Sequence, residues 1–382
     1  MAVYLDCAAT PPIDPRVLER VVACFREEVG NAGSRTHEYG ARARRVVEQA
    51  RDQVAAAVGA ARGEIVFTSG ATESNNLAIL GLAEHGRWAG RRHLVSTQVE
   101  HRAVLEPLQA LARSGFELTL VPPDPGGRVA PEAVRAAVRP ETLLVSVMQV
   151  NNETGIRQPV GEIAELLGDH PAYLHVDAAQ GFGLEPETLR HARIDLVSLS
   201  GHKAYGPKGI GALVARRRSG KRPPLEPLLL GGGQELGLRP GTLPVPLIAG
   251  LGLAAELAAA EALQRRERCR RFGERLLQAL APLASEVTGD PVHRAPHILN
   301  LGFPGLPAEE TIEALGEVVA VSDGAACSSG SETCSHVLAA MGLPPDRAEC
   351  AVRWSWCHLT EEPDWDRIVR VLDELRSSAR EG

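Results

Sequence analysis

Leu196-Val197-Ser198-Leu199-Ser200-Gly201-His202-Lys203-Ala204-Tyr205-Gly206-Pro207-Lys208-Gly209 is the stretch that decides the fold. An apolar run short enough for one buried strand ends in Ser-Gly-His-Lys and turns through Gly-Pro. The chain has three lysines, Lys203, Lys208 and Lys221, so nearly all its positive charge is arginine. A lysine directly after a buried strand is poorly placed for a surface salt bridge. Partial burial lowers an amine pKa and exposes a nucleophile that condenses with a carbonyl. The plain alternative is a loop lysine that bonds backbone carbonyls.

Similar runs precede it. Ile65–Thr68, Leu94–Thr97, Leu118–Val121, Leu143–Met148 and Tyr173–Asp177 alternate with helical patterns from about residue 60 to 215. Short continuous apolar runs spaced by helices predict a mostly parallel sheet covered on both faces. Ligands gather at the carboxyl ends of such strands. Beyond it, residues 246–285 read as one long Ala- and Leu-rich helix. The remainder, about 286–382, has strand runs at 297–301 and 318–321 followed by helices, the pattern of a smaller α+β unit.

Bulk properties narrow the function. A chain of 382 residues, 44% hydrophobic and 23% charged, is long enough for two domains and a large core. A formal net charge of −7 argues against a general nucleic-acid footprint. The cluster Arg216, Arg217, Arg218, Lys221 and Arg222 reads as a solvated loop before it reads as a polyanion site. No apolar stretch is expected to span a membrane, and residues 1–6 carry no secretory pattern. Seven scattered cysteines without a Cys-x-x-Cys pair point to reduced thiols in the cytoplasm. No metal site is expected.

Four features fall where an α/β enzyme puts its chemistry. Thr68-Ser69-Gly70-Ala71-Thr72-Glu73 joins a strand to a helix, which suits either a plain N-cap or a bound phosphate. Asp177 ends a strand among small residues, where it either bonds loop amides or faces a ring. His101 opens a helix, either as a bland terminal residue or as a ring that exchanges protons near neutral pH. Cys327 sits in the Gly- and Ser-rich stretch 322–331, a setting that lets a thiolate reach a substrate.

Together these residues resemble the cysteine desulfurases, NifS-like members of the class V aminotransferase group of fold-type I pyridoxal phosphate enzymes. The resemblance runs nearly end to end. Tyr4-Leu5-Asp6 with Ala8-Ala9-Thr10, Phe67 to Asn76, Glu100-His101 and Val150 to Gly155 come first. His175 to Gln180, Ser200-Gly201-His202-Lys203, Gly231 to Glu235, Arg239 to Pro244, Ala326-Cys327 and Val352-Arg353 follow in family order.

The resemblance implies a large α/β domain at 15–257 with a mostly parallel seven-stranded sheet. It implies a smaller α+β domain from 1–14 and 258–382 carrying a catalytic cysteine loop at about 322–335. Lys203 would hold pyridoxal 5′-phosphate as a Schiff base, with Asp177 on the ring nitrogen. Gln180 and Asn152 would lie on the phenolic oxygen side, and His101 would stack on the ring. Ala71, Thr72, Ser200 and His202 would hold the phosphate, with Thr242 reaching over from the second subunit of a homodimer. Arg353, beside Asn152, would bind the substrate carboxylate, and Cys327 would accept sulfur. Departures are Leu236 where arginine is usual, Cys7 where Tyr or Asn is common, and Cys334 where proline is frequent. Cys7 and Cys334 read as a second sulfur relay or as spare small residues.

The implied reaction converts L-cysteine to L-alanine and passes sulfur through a Cys327 persulfide to an acceptor protein. Iron–sulfur assembly, tRNA thiolation and DNA phosphorothioation are the open destinations, and the Arg-rich, Lys-poor composition suits hosts of the last. Alternatives are a selenocysteine lyase or related aminotransferase, and a non-enzymatic sulfur-carrier scaffold. Direct membrane or nucleic-acid binding is not expected.

Overall fold

The computed structural model describes residues 2–324 and 335–381; Cys327 and Cys334 lie outside them. The strands in chain order are β1 (Val3–Tyr4), β2 (Ile65–Thr68), β3 (His93–Thr97), β4 (Glu117–Val121), β5 (Thr142–Met148) and β6 (Tyr173–Asp177). They continue with β7 (Leu196–Ser200), β8 (Gly211–Ala215), β9 (Glu286–Val287), β10 (Ile298–Gly302), β11 (Val319–Ala320) and β12 (Ala351–Ser355). The central sheet has seven strands in the order β2-β8-β7-β6-β5-β3-β4. β7, β6, β5, β3 and β4 run parallel, while β8 is antiparallel to both β2 and β7.

The six expected strands form within a residue or two of their predicted bounds. Five of them are wholly or almost wholly buried, because helices cover both faces. β8 is an addition that the residue pattern did not single out. Its first residue has to be glycine: a Cβ on Gly211 would lie 2.5 Å from Leu199 O and 2.6 Å from Gly70 Cα. The loop after β2 therefore touches the start of β8, and this contact brings residues 69–72 over the ends of β6 and β7.

The predicted long helix runs Val245–Leu280. Its apolar part is long enough to cross a membrane, contrary to the expectation from sequence. Its side chains show why that length arises. Val245, Ile248, Ala249, Leu251 and Ala255 enter the core beneath the central sheet, against helix Glu38–Val58. Further along, Cys269, Phe272, Leu276 and Leu280 join a second core with Leu299, Leu301, Val352, Trp354 and Trp356. One helix thus serves two cores, and its small residues allow close helix packing.

That second core carries the three-stranded antiparallel sheet β12-β10-β9 and the parallel pair β1-β11. Residues 3–10 connect the two regions. Asp6 bridges Ser355 in parallel, Cys7 N–H donates to Ser355 O at 3.1 Å, and Ala8 N–H donates to Ser355 Oγ at 2.8 Å. The arginine cluster is less solvated than its composition suggests. Arg216 is buried, and its guanidinium donates to the carbonyls of Ile194, Val58 and Leu189.

Candidate active site

The carboxyl ends of β2, β6 and β7 open into a cavity of about 570 Å³. Ala71, Thr72, His101, Asn152, Asp177, Gln180, Ser200, His202, Lys203 and Arg353 all line it, together with Ala8, Thr10 and Asn75. Ten of the twelve residues singled out from sequence therefore meet in one place. Thr242 does not. It is exposed and lines a separate cavity with Arg51, Gln234, Glu235 and Leu236. Cys327 lies outside the described residues.

One end of the cavity suits an anion. Helix Ala71–Leu80 begins after Gly70, which has no side chain to cap it. The N–H groups of its first turn are left to whatever occupies the cavity. Glu73 turns back to accept from Ser69 N–H at 2.7 Å and is tied by Arg239 at 3.0 Å, so it does not fill that end. Ser200 and His202 face the same end from β7 and the turn after it. His202 Nδ1 lies 3.0 Å from Thr10 Oγ1. Burial, then the nearby Lys203 and Lys208 ammonium groups, bring the His202 pKa down to about 4, so its ring is neutral near pH 7.

The other end suits a cation. Asp177 ends β6 and is buried, accepting from Asn75 Nδ2 at 2.8 Å and from Ala179 N–H at 2.9 Å. Each carboxylate oxygen keeps a free lone pair for a ring N–H. Asn75 sits one turn inside helix Ala71–Leu80, so the helix that offers its N-terminus to an anion also fixes the carboxylate. In the sequence Asn75 is only one residue of the Phe67-to-Asn76 motif, because the carboxylate it holds lies 102 residues away.

Lys203 lies between the two ends. Its Nζ donates to Ala8 O, which also accepts from Gln180 Nε2 at 2.9 Å. A backbone carbonyl from residue 8 thus parks the amine. His101 caps helix Arg102–Arg113, and its Nδ1 accepts from Ala103 N–H at 3.1 Å. The neutral ring therefore carries its proton on Nε2. Burial lowers the His101 pKa, assisted by Lys203 and His336 and opposed by Asp177. Arg353 is buried on β12, with Nη2 donating to Asp6 Oδ1 at 2.7 Å and Nη1 to Asn152 O at 3.1 Å. Its Nε has no hydrogen-bond partner among the described residues.

Two buried carboxyl groups lie behind this wall. Glu100 is fully buried, and its pKa is pushed up to about 8 by desolvation, with Asp177 adding to the rise. Glu153 is raised by burial too, and it accepts from Ser335 Oγ while its Cβ and Cγ underlie Gly324. It thereby touches both described ends of the segment that contains Cys327.

A buried carboxylate, an uncapped helix start and a lysine between them form a setting for a flat, cationic, phosphorylated ring with a carbonyl. The chain matches the aminotransferase class-V family over residues 3–368. It is 44% identical over 381 residues to the cysteine desulfurase IscS of Anaeromyxobacter sp. (strain Fw109-5), covering 99% of this chain and 93% of that protein. Among solved structures, DndA from Streptomyces lividans is 51% identical, with a TM-score of 0.81 over 93% of this chain and 99% of that one. SspA in complex with cysteine is 35% identical, with a TM-score of 0.83 over 94% and 100% of the two chains. By fold, site and sequence together, the chain belongs to the class-V aminotransferase family, among its cysteine desulfurases.

Proposed function

We propose that the protein is a pyridoxal phosphate-dependent cysteine desulfurase that converts L-cysteine to L-alanine and retains the sulfur on Cys327. The observation that carries this reading is the convergence of Lys203, Asp177 and the uncapped start of helix Ala71–Leu80 on one cavity.

The donor set fits the cofactor. Ala71, Thr72, Ser200 and His202 would hold its phosphate, Asp177 its ring nitrogen, and Lys203 its aldehyde carbon, with His101 against the ring. Gln180 and Asn152 would stand on the phenolic oxygen side. Bound there, pyridoxal phosphate supplies an electron sink for the pair released at the amino acid Cα. Arg353 would bind the substrate carboxylate through guanidinium donors that Asp6 and Asn152 hold in place. Lys203 Nζ, released from Ala8 O, would carry the Cα proton. Neutral His101 would offer its Nε2 proton to the departing side. The Cys327 thiolate would attack the substrate sulfur, the Cβ–S bond would break with its electron pair passing to carbon, and Cβ would take up a proton, so that the sulfur stays as a persulfide and the remaining amino acid leaves as alanine.

Thr242 and the exposed Leu228, Leu229, Leu230 and Leu236 support a homodimer, in which Thr242 of one subunit completes the phosphate site of the other. The greater identity to DndA than to IscS supports DNA phosphorothioation as the destination of the sulfur, through an acceptor protein in the cytoplasm. The test compares Lys203→Ala and Cys327→Ser with wild type. Both variants are expected to stop alanine release from L-cysteine, while Cys327→Ser still binds the amino acid. Wild-type alanine release by either variant overturns the assignment of that residue. Loss of phosphorothioate linkages in host DNA on deletion, scored by nuclease digestion and mass spectrometry, tests the destination; unchanged linkages overturn it.

A further inference from the structure

Two thiols that the reaction does not use meet directly behind the site. Cys7 and Cys357 are 5% and 3% exposed and share the second core. Asp6 bridges Ser355 in parallel and Cys7 N–H donates to Ser355 O, so the segments that follow β1 and β12 run side by side. Continued two residues, that parallel pairing brings Cys357 alongside Ala8, the neighbour of Cys7. Each thiol is the first influence on the other's ionisation. Both also touch one hydroxyl: Thr360 Oγ1 is 3.5 Å from Cys357 Sγ and 4.0 Å from Cys7 Sγ.

We propose that Cys7 and Cys357 form a reversible disulfide when the enzyme meets hydrogen peroxide, and that this disulfide lowers its turnover.

The surroundings favour thiolate on one member of the pair. The neighbouring Cys7 thiol comes first, followed by the Thr360 hydroxyl and the backbone N–H groups of Leu359 and Thr360. Together they bring the Cys357 thiol down to about 7 against the cost of burial, while Cys7 is pushed up. Cys357 is thus the nucleophile and Cys7 the resolving thiol. Leu359 and Thr360 are only half-buried, so the pair lies one residue layer beneath the surface. A small peroxide suits that depth better than a bulky disulfide reagent.

The chemistry balances. Cys357 Sγ attacks one peroxide oxygen, the O–O bond breaks, and the released hydroxide takes a proton to become water. Cys7 Sγ then attacks the Cys357 sulfenic acid, the S–O bond breaks, and hydroxide leaves with the Cys7 proton as a second water. Two thiols are oxidised and one peroxide is reduced.

The coupling to turnover follows from geometry and rests on the function proposed above. The two sulfurs, each against the Thr360 hydroxyl, must close to about 2.05 Å. That movement falls on residues 6–8 and 355–357. Asp6 orients Arg353, Ala8 O parks Lys203 and orders Gln180, and Ser355 Oγ holds Ala8 N–H. Packed strands shift together, so both the carboxylate-binding arginine and the lysine lose their alignment.

The experiment treats the full-length holoenzyme with hydrogen peroxide, removes the excess with catalase, alkylates free thiols and maps peptides by mass spectrometry. The expected result is a peptide pair joining Cys7 to Cys357, with turnover of L-cysteine reduced at least fivefold and recovered in part by dithiothreitol. Cys7→Ala and Cys357→Ala are expected to keep basal turnover near wild type and to lose the recoverable component. Oxidation of Cys327 is distinguished because it persists in both variants. Recovery of Cys7 and Cys357 as alkylated thiols under peroxide that oxidises other cysteines overturns the proposal, as does a link to Cys269. A Cys7–Cys357 link that leaves turnover unchanged overturns the coupling. The peptide map needs no variant and no turnover, so failure of the desulfurase assignment reads out separately.

Discussion

Replacing Glu100 with glutamine should change how stability depends on pH. Glu100 Oε1 accepts from Thr97 Oγ1 at 2.7 Å and from Met148 N–H at 2.8 Å, whereas Oε2 has no partner among the described residues. With Oε1 doubly engaged as an acceptor, the acid proton belongs on Oε2. In the unfolded chain Glu100 ionises at the ordinary 4.5, and in the folded protein at about 8. The folded state therefore holds one more proton than the unfolded state in between. Stability falls as pH rises through that window, by about 1.4 kcal/mol per pH unit. From pH 5 to pH 9 the loss from this group is about 4 kcal/mol. Glutamine reproduces the Oε1 contacts and cannot ionise, but its amide group is left without an acceptor at about 1–3 kcal/mol. Glu100→Gln should then be less stable than wild type at pH 5 and more stable at pH 9, with the curves crossing between. Urea unfolding midpoints of both proteins, saturated with cofactor, at unit steps of pH read the difference, because groups common to both cancel. Parallel curves over pH 5–9 would refute the claim that Glu100 is held neutral.

Three further outcomes follow from the same geometry. Glu235 accepts from Arg51 at 2.7 and 2.8 Å and from Phe67 N–H at 2.7 Å, all buried. Glu235→Ala removes the two-point partner of that guanidinium and leaves it only Ile65 O and the half-exposed Glu48, so it should cost about 3 kcal/mol in denaturant unfolding; a loss under 1 kcal/mol would contradict this. Arg353→Lys should raise KM for L-cysteine about tenfold with a smaller change in kcat, matching one lost charge-assisted hydrogen bond of about 1.5 kcal/mol; an unchanged KM removes Arg353 from the substrate carboxylate. Leu230 is 90% exposed, and Leu230→Asp should shift the protein toward monomer in sedimentation velocity, with turnover falling in step. A monomeric wild type with full turnover would end the shared-site reading.

The sheet was legible because burial on both faces leaves its strands as continuous apolar runs, Leu143 to Met148 most plainly. β8 was not, since Gly211 and Ala212 carry too little side chain to signal a strand. β12 was hidden by Arg353 and Ser355, polar residues that its two-sided burial would ordinarily forbid. Lys203, Asp177 and His101 were readable because each ends an apolar strand or follows one in the connecting turn. The partners that set them were not. Ala8 O is a backbone atom separated from Lys203 by 195 residues, and nothing in its own side chain marks it. Asp6, Asn75, Glu100 and Glu153 act through pairings between distant segments, which no local pattern encodes. Thr242 illustrates the converse, a motif residue with no place at this chain's own cavity.

Residues 3–10 also set a timetable for biosynthesis. Ala8 N–H waits for Ser355 Oγ across 347 residues. At about 5–20 residues per second, ribosomal synthesis of that interval takes roughly 20–70 s. The central sheet is complete by Ala215, so it has time to collapse while the lysine's carbonyl partner is still unanchored. Ordering of the cavity wall therefore waits until residue 355 has been made, and cofactor capture in the cell should lag behind folding of the sheet that receives it.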